Sequence, residues 1–366
     1  MIIAVFGTRG FPNIQGGVER HCEKLYPLIA ERGHDVMVFA RSPYVGKDIY
    51  NFKGVKIIPL YCPKSRFFET IFHTFYATLA AKKARADIVH IHAVGPSLFA
   101  PLARLLGMKV IMTTQGPDYE RKKWGFFAKA VLKLGEKLGC IFADRIISVT
   151  SVIADDIRKK YNKKSAVIPN GVEIPNAVES RDTLVKFGIR KNGYILAVGR
   201  FVPEKGFDDL ILAYKKSRFD GTKLVIAGDA DHENEYSKKL KDSVMGDPNI
   251  ILTGFLTGEP LEEIYSNAGL FVLPSYHEGL PFTLLEAMSY GLRCLASDIP
   301  ANRCVKLNDN NYFGAGNIKA LSDKIKQFIE KPLSDKESKE QIEILKKDYD
   351  WDIIAQKTLK IYEELT

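Results

Sequence analysis

Two glutamates eight positions apart, Glu278 and Glu286 in SYHEGLPFTLLEAMSYG (Ser275 to Gly291), flank a Leu-Pro step and an apolar run. Pro281 fits the first position of a helix, where its missing N–H costs nothing, so the N–H groups of Phe282, Thr283 and Leu284 fall among the unpaired donors of a helix start. An anion suits such donors. A carboxylate beside that anion would be repelled by it. Glu278 just before the helix, and Glu286 about one and a half turns in, therefore suit acceptors of hydrogen bonds from sugar or ribose hydroxyls. The plainer alternative makes Glu278 a partner of the helix dipole and Glu286 a solvated helix residue.

Three further stretches could do related chemistry. GTRGFPNIQGGVER (Gly7 to Arg20) follows a candidate first strand, and its Gly16-Gly17 step would let backbone approach a phosphate closely at a helix start near Val18. Arg9 in that loop is either a phosphate partner or a solvated side chain. The spacing is not G-x-G-x-x-G, which argues against a dinucleotide-dependent oxidoreductase. VGRFVPEKG (Val198 to Gly206) puts Arg200 at a strand end and Lys205 before a helix, where two cations could converge on a diphosphate leaving group. VHIHAVGPS brings His90 and His92 to one strand face, with His92 at the end. A structural role is the commoner one for such histidines, and metal binding lacks a third ligand at sensible spacing. No Asp-x-Asp pair is read as a divalent-metal clamp.

The elements that must position these residues alternate. Short β-branched or apolar runs begin at Ile2, Val36, Val55, Ile88, Lys109, Arg145 and Ala166, with segments of helical period after most of them. Runs such as KVIMTT are apolar on both faces, as strands covered by helices on both sides are. After IPNGVEIPN the alternation restarts, with strands expected at Tyr194–Gly199, Lys223–Gly228, Asn249–Gly254, Leu270–Pro274 and Arg293–Ser297. Two doubly wound α/β domains follow, and in such sheets ligands bind beyond the carboxyl ends of the strands, here favouring a cleft between the domains. The chain of 366 residues suits two domains. Five scattered cysteines without C-x-x-C argue against a disulfide framework and suit a reducing cytoplasm. MIIAVFGTRG reads as a buried strand and not as a signal peptide.

Charge is unevenly shared. Residues 1–168 hold 27 Lys+Arg against 13 Asp+Glu, net +14, whereas the remainder is −5. Within the basic half, YERKKWGFFAKAVLKLGEKLG (Tyr119 to Gly139) sets Lys122, Lys129, Lys133 and Lys137 at helical spacing beside a stripe of Trp124, Phe127, Val131, Leu134 and Leu138. Such a helix suits peripheral contact with an anionic membrane, although a surface helix packed on its own sheet is the commoner arrangement. No nucleic-acid module is recognisable.

Together these motifs resemble the GT-B glycosyltransferases, and specifically glycosyltransferase family 4, over essentially the whole chain. EGLPFTLLE is similar to that retaining family's E-x7-E signature, VIPNGVE to its interdomain linker, GRFVPEKG to its diphosphate element and GTRGFPNIQGGVE to its Gly-rich loop. GTRGFP, HIHAVGPSL, KWGFFAK and SDIPANR further resemble a bacterial rhamnosyltransferase-like branch of surface polysaccharide assembly. The resemblance implies two Rossmann-like domains facing a central cleft. Residues 1–170 would bind the acceptor, residues 171–350 the nucleotide sugar, and residues 351–366 would form a helix packing back on the first domain. It puts Gly16 and Gly17 near the donor diphosphate, His92 near the donor sugar, and Arg200 and Lys205 on the diphosphate. It likewise puts Glu278 on the sugar hydroxyls, the Phe282 and Thr283 amides on phosphate, Glu286 on the ribose, and Gly254 and Phe255 along the base. Two places depart from the pattern: Gln115 in TTQGPD, where many relatives carry His, and SDIPANRCV, where a Gly-Gly step is commoner.

The implied activity is retaining, metal-independent transfer, with no cofactor, from a nucleotide diphosphate sugar to a hydroxyl of a glycan or polyprenyl-diphosphate-linked acceptor, at the cytoplasmic face of the membrane. A sugar-nucleotide epimerase of the same architecture and a non-catalytic nucleotide-sugar-binding protein are the rival readings.

Overall fold

The computed structural model describes every residue except 64, 66, 67, 121–124, 176, 177, 179, 218, 220, 231, 232, 330 and 332. Lys122 and Trp124 of the basic segment thus lie outside the described residues. The chain divides into two compact units, Met1–Gly171 with Tyr349–Thr366, and Val172–Asp348.

The first unit contains β1 (Ile2–Phe6), β2 (Asp35–Arg41), β3 (Tyr50–Phe52), β4 (Val55–Leu60), β5 (Ile88–His92), β6 (Lys109–Thr114), β7 (Arg145–Ser148) and β8 (Ala166–Val167). They form one sheet in the order β3-β4-β2-β1-β5-β6-β7-β8, parallel except for β3 against β4. All five residues of β5 are buried, as a strand covered on both faces requires. The antiparallel β3 has no counterpart in the expected strands. Its hairpin to β4 turns at Lys53 (φ 48°) and Gly54 (φ 84°), a tight two-residue turn whose usual sequence signal is Asn-Gly or Asp-Gly. The helix Trp351–Glu363 belongs to this unit. Asp350 caps it, accepting from the Asp352 and Ile353 N–H groups at 2.9 and 3.2 Å.

The second unit contains β9 (Tyr194–Val198), β10 (Lys223–Ala227), β11 (Ile250–Gly254), β12 (Leu270–Leu273), β13 (Cys294–Ser297) and β14 (Tyr312–Phe313). Their order is β11-β10-β9-β12-β13-β14, with parallel pairing throughout. β14, two residues long, is too short for a periodic signal. Phe207, Leu210, Leu224, Ile226, Leu270 and Ile325 lie in its core. Among its parallel strands each sheet reverses its order once, at β1/β5 in the first unit and at β9/β12 in the second. Such reversals are where open α/β sheets leave a crevice at their carboxyl edge.

The basic helix runs Phe126–Phe142. Its buried positions are Gly135, Glu136, Gly139 and Cys140, while Phe127 and Leu134 of the apolar stripe are exposed, although packing on the sheet would turn that stripe inward. Close packing is the cause. A Cβ at Gly135 would lie 2.3 Å from the Val94 carbonyl oxygen, and one at Gly139 2.4 Å from Met112 Sδ.

Candidate active site

In the second unit, β9 and β12 are adjacent, so the loops after them leave the sheet side by side. The first loop passes through the short turn Pro203–Lys205 to Gly206 (φ 63°), where a Cβ would lie 2.4 Å from the Pro274 carbonyl oxygen of the second loop. This contact brings two of the expected residues together: Lys205 Nζ lies 2.6 Å from Glu278 Oε1, with the side chains 16% and 11% exposed. Pairing offsets the cost of desolvating either charge alone. The same carboxylate oxygen accepts from Ser275 Oγ at 2.6 Å. Behind it, Ser297 Oγ donates to the Ser275 carbonyl, and Asn302 Nδ2 donates to both the carbonyl and the hydroxyl oxygen of Ser297 at 3.0 Å. Asn302 is wholly buried. A chain of hydrogen bonds thus runs from the end of β13 to the Glu278 carboxylate.

Arg200, half-buried, stands two residues past β9. The ends of β9, β10 and β11 are tied together, Gly199 N–H donating to the Ala227 carbonyl at 3.0 Å and Gly228 N–H to the Gly254 carbonyl at 2.9 Å. Gly254 has φ 75° with open space where a Cβ would point, and Phe255 beside it is 48% exposed. These two residues offer an aromatic and a bare backbone edge to a flat ligand.

The helix of the glutamate stretch is Phe282–Ser289. Pro281 is its N-cap (φ −78°, ψ 106°) rather than its first helical residue, and the Pro281 carbonyl accepts from the Leu284 N–H at 3.2 Å. Leu284 therefore leaves the set of open donors, and Phe282 and Thr283 remain. Glu286 is only 6% exposed, so it is not a solvated helix residue. Tyr265 donates to Glu286 Oε2 at 3.1 Å and is stacked on Tyr290 at 5.3 Å.

In the first unit, Gly7 (φ 101°) lies against the end of β5: a Cβ there would be 2.0 Å from the His92 carbonyl oxygen. The Gly-rich loop is closed by Glu19, which accepts from the Arg9 N–H at 3.0 Å. At Gly16 (φ 150°) a Cβ would collide with Glu19 Oε2, and the helix Gly17–Glu31 starts at the next residue. Arg9 is engaged within its own unit, donating to the Gln15 carbonyl at 3.4 Å and lying over the Tyr44 ring at 5.2 Å. At the departure position, Gln115 and Asn170 are amide partners, Asn170 Nδ2 donating to Gln115 Oε1 at 3.1 Å.

His90 and His92 are stacked at 4.4 Å and buried, with His21 5.5 Å from His92. The Tyr26 hydroxyl bridges them, 2.5 Å from His92 Nε2 and 3.0 Å from His90 Nδ1. Tyr362 of the last helix reaches His90 Nδ1 at 2.6 Å, and Thr113 holds His90 Nε2 at 2.6 Å. Burial pushes His90 down to about 3 and His21 to about 4, and holds His92 well below the usual imidazole range. All three rings are neutral at pH 7.

Two family models match the chain: "Glycosyltransferase Family 4" over residues 15–174 and "Glycosyl transferases group 1" over residues 181–348. The chain belongs to the family 4-like glycosyltransferases of GT-B fold. Among curated relatives, it is 24% identical to the UDP-Gal:alpha-D-GlcNAc-diphosphoundecaprenol alpha-1,3-galactosyltransferase of Escherichia coli, covering 86% of this chain and 87% of that one. Among solved structures, a sucrose-phosphate synthase from Thermosynechococcus elongatus aligns with a TM-score of 0.85 at 20% identity, over 100% of this chain and 98% of that one. Anabaena HepE in complex with UDP-glucose aligns with a TM-score of 0.80 at 16% identity, over 100% of both chains.

Several residues of this glycosyltransferase that touch the candidate groups were not singled out by the sequence pattern. Tyr265, Tyr26 and Tyr362 reach their partners across the fold, while Ser297 and Asn302 stand in the SDIPANR segment, noted for its resemblance but given no role. Ser275 alone stands inside the glutamate stretch, three positions before Glu278. The sequence also holds three Asp-x-Asp tripeptides, Asp229-Ala230-Asp231 and the overlapping Asp348-Tyr349-Asp350 and Asp350-Trp351-Asp352. Asp229 is paired with Lys241 at 2.9 Å, Asp350 caps the last helix, and Asp231 lies outside the described residues. Among the described residues no cluster of three or more acidic, His or Cys side chains could hold a metal ion.

Proposed function

We propose that this glycosyltransferase moves a sugar from a nucleotide diphosphate donor to a hydroxyl of a glycan or polyprenyl-diphosphate-linked acceptor in surface polysaccharide assembly, with retention of configuration and without a metal. The observation that carries the reading is the Lys205–Glu278 pair at the β9/β12 reversal, a cation and a hydroxyl acceptor held 2.6 Å apart. When the anomeric carbon separates from the diphosphate, negative charge grows on the leaving phosphate. Lys205, Arg200 and the Phe282 and Thr283 amides are the groups to meet it. Glu278 accepts from a hydroxyl of the sugar as that sugar becomes oxocarbenium-like, and Glu286 accepts from the ribose. The acceptor oxygen bonds to the anomeric carbon on the face the phosphate leaves, and its proton passes to that phosphate. Gly254 and Phe255 suit the base. Gly16 and Gly17 offer backbone to the diphosphate, and His92, wholly buried with its Nε2 on the Tyr26 hydroxyl, serves the donor-sugar side by fixing the end of β5.

The E. coli relative's lipid-linked acceptor and the Anabaena structure's UDP-glucose favour a uridine donor and an acceptor met at the inner face of the plasma membrane. No described helix is long and apolar enough to cross a membrane. A thermal-shift panel of UDP, GDP, ADP and dTDP sugars identifies the donor, since a ligand of the native state alone raises its stability. Normal turnover by Lys205→Ala protein would sink the diphosphate assignment. Full loss of activity with a chelator would overturn the metal-free mechanism, and conversion of the donor to an epimer without acceptor would favour the epimerase.

A further inference from the structure

The helix Phe68–Lys83 is built inside out. Its buried residues are His73, Thr74, Ala77, Thr78 and Ala81, small or polar for the most part. Phe68, Phe72, Phe75, Tyr76 and Leu79 on the outward face are 39% to 52% exposed. At helical spacing these five form one continuous stripe. Inside, Ala77 and Ala81 pack in one cluster with Phe6 and Phe39, while Thr74 and Thr78 return their hydroxyls to carbonyls of their own helix at 2.7 and 2.8 Å. The helix Phe126–Phe142 repeats the pattern, with Gly135, Gly139 and Cys140 inward and Phe126, Leu134 and Ile141 exposed. Both helices border one turn: a Cβ at Gly95 would lie 3.2 Å from Leu132 and 3.9 Å from Thr70, and Phe75 meets Phe99 at 6.0 Å. A contiguous apolar face of this kind marks an interaction surface.

Charge decides what covers it. Lys82 and Lys83 end the first stripe, and Lys133 and Lys137 stand exposed on the second helix. The acidic residue in each helix is turned away, Glu69 onto Arg41 at 2.7 Å and Glu136 onto Tyr119 and Tyr161 at 3.0 and 2.7 Å. The outward faces therefore carry cations and no anions. A second copy of the chain would set lysine against lysine, whereas anionic headgroups complement both the lysines and the aromatic side chains between them. We propose that these two outward faces form a docking surface for an anionic lipid bilayer, with Phe72, Phe75 and Leu79 entering the acyl boundary. The proposal rests on the reading of a lipid-linked acceptor given above.

The test is co-sedimentation of the full chain with phosphatidylcholine vesicles, with and without phosphatidylglycerol. We expect binding that needs the anionic lipid and weakens in moderate salt. The triple variant Phe72→Ser, Phe75→Ser, Leu79→Ser should lose about 100-fold in partitioning, and Lys133→Glu with Lys137→Glu about tenfold or more. Both variants should keep the donor-induced thermal shift and donor hydrolysis of the parent, which shows that they fold. Undiminished vesicle binding by the triple variant, or no binding by the parent protein, would overturn the proposal. So would a concentration-dependent dimer that the triple variant abolishes, since that assigns the face to a second copy. If no nucleotide sugar shifts or is hydrolysed by the parent protein, the transferase reading fails while the vesicle result stands by itself.

Discussion

The two strand-order reversals of this glycosyltransferase share a topology and differ in chemistry. At β9/β12 the loops end in a charged pair, Lys205 and Glu278, partly open to solvent and backed by the hydroxyls of Ser275 and Ser297 and the amide of Asn302. At β1/β5 the carboxyl edge ends in neutral, buried imidazoles tied to Tyr26, Tyr362 and Thr113. A charged group that must exchange its partner for a substrate has to stay near water. A ring that fixes a strand against two helices does not. Position at a sheet's carboxyl edge supplies opportunity, and burial and protonation decide what is done with it.

The largest effect should come from removing charge at the pair. Lys205→Ala should lower kcat by a factor on the order of 100 to 1,000, the loss typical of one preorganised contact to developing charge, with the unfolding midpoint little changed. Steady-state kinetics beside a denaturant titration checks both halves, and a large stability loss with modest kinetics would recast the pair as structural.

The neutral cluster should reveal itself in the pH dependence of stability. Above pH 6.5 both folded and unfolded states carry neutral imidazoles, so His21 and His90 add no pH dependence there. As the pH falls below 6.5, the unfolded chain takes up protons that the buried rings, depressed to about 4 and about 3, do not. Stability should therefore fall with the pH between about 6.5 and 4, at up to about 1.4 kcal/mol per pH unit for each histidine. Urea midpoints across that range measure the slope, and His90→Gln should make it shallower. A flat profile would mean that these rings are already charged or accessible.

A third and smaller effect tests how the charged pair is held. Ser275→Ala removes one donor to Glu278, and Asn302→Leu removes the amide behind it. Each should cost about tenfold in kcat, in keeping with one hydrogen bond to a charged acceptor, with the donor's KM nearly unchanged. If each variant alone costs as much as the two together, the chain from Asn302 to Glu278 acts as one unit.

Much of this organisation was legible because it lies in local pattern. Strands such as Ile88–His92 and Lys109–Thr114 are short apolar runs bounded by turn residues, and the same-face placement of His90 and His92 follows from strand alternation. The loops that bear Lys205 and Glu278 were legible as strand ends. Their direct contact was not, because it depends on Gly206 lying against Pro274 across 68 positions of chain. Tyr362 meets His90 over a separation of 272 residues, which no periodicity records. The facing of the helix Phe126–Phe142 was left open by its pattern for a related reason. Apolar stripes are assigned inward by default, but Gly135 and Gly139 let the backbone approach the loop after β5, and the larger side chains were left outside.

The smallest effect discriminates most finely. Tyr362→Phe keeps the ring that packs against His90 at 5.6 Å and deletes only the hydroxyl. A structural pin predicts a stability loss of about 1 kcal/mol and an unaltered kcat, because His90 would still be held by Thr113 and Tyr26. If instead kcat falls while the unfolding midpoint stays, the orientation of His92 transmitted through Tyr26 matters to the sugar being transferred. The buried histidines would then join the chemistry of the charged pair, and the contrast between the two reversals would be one of charge alone.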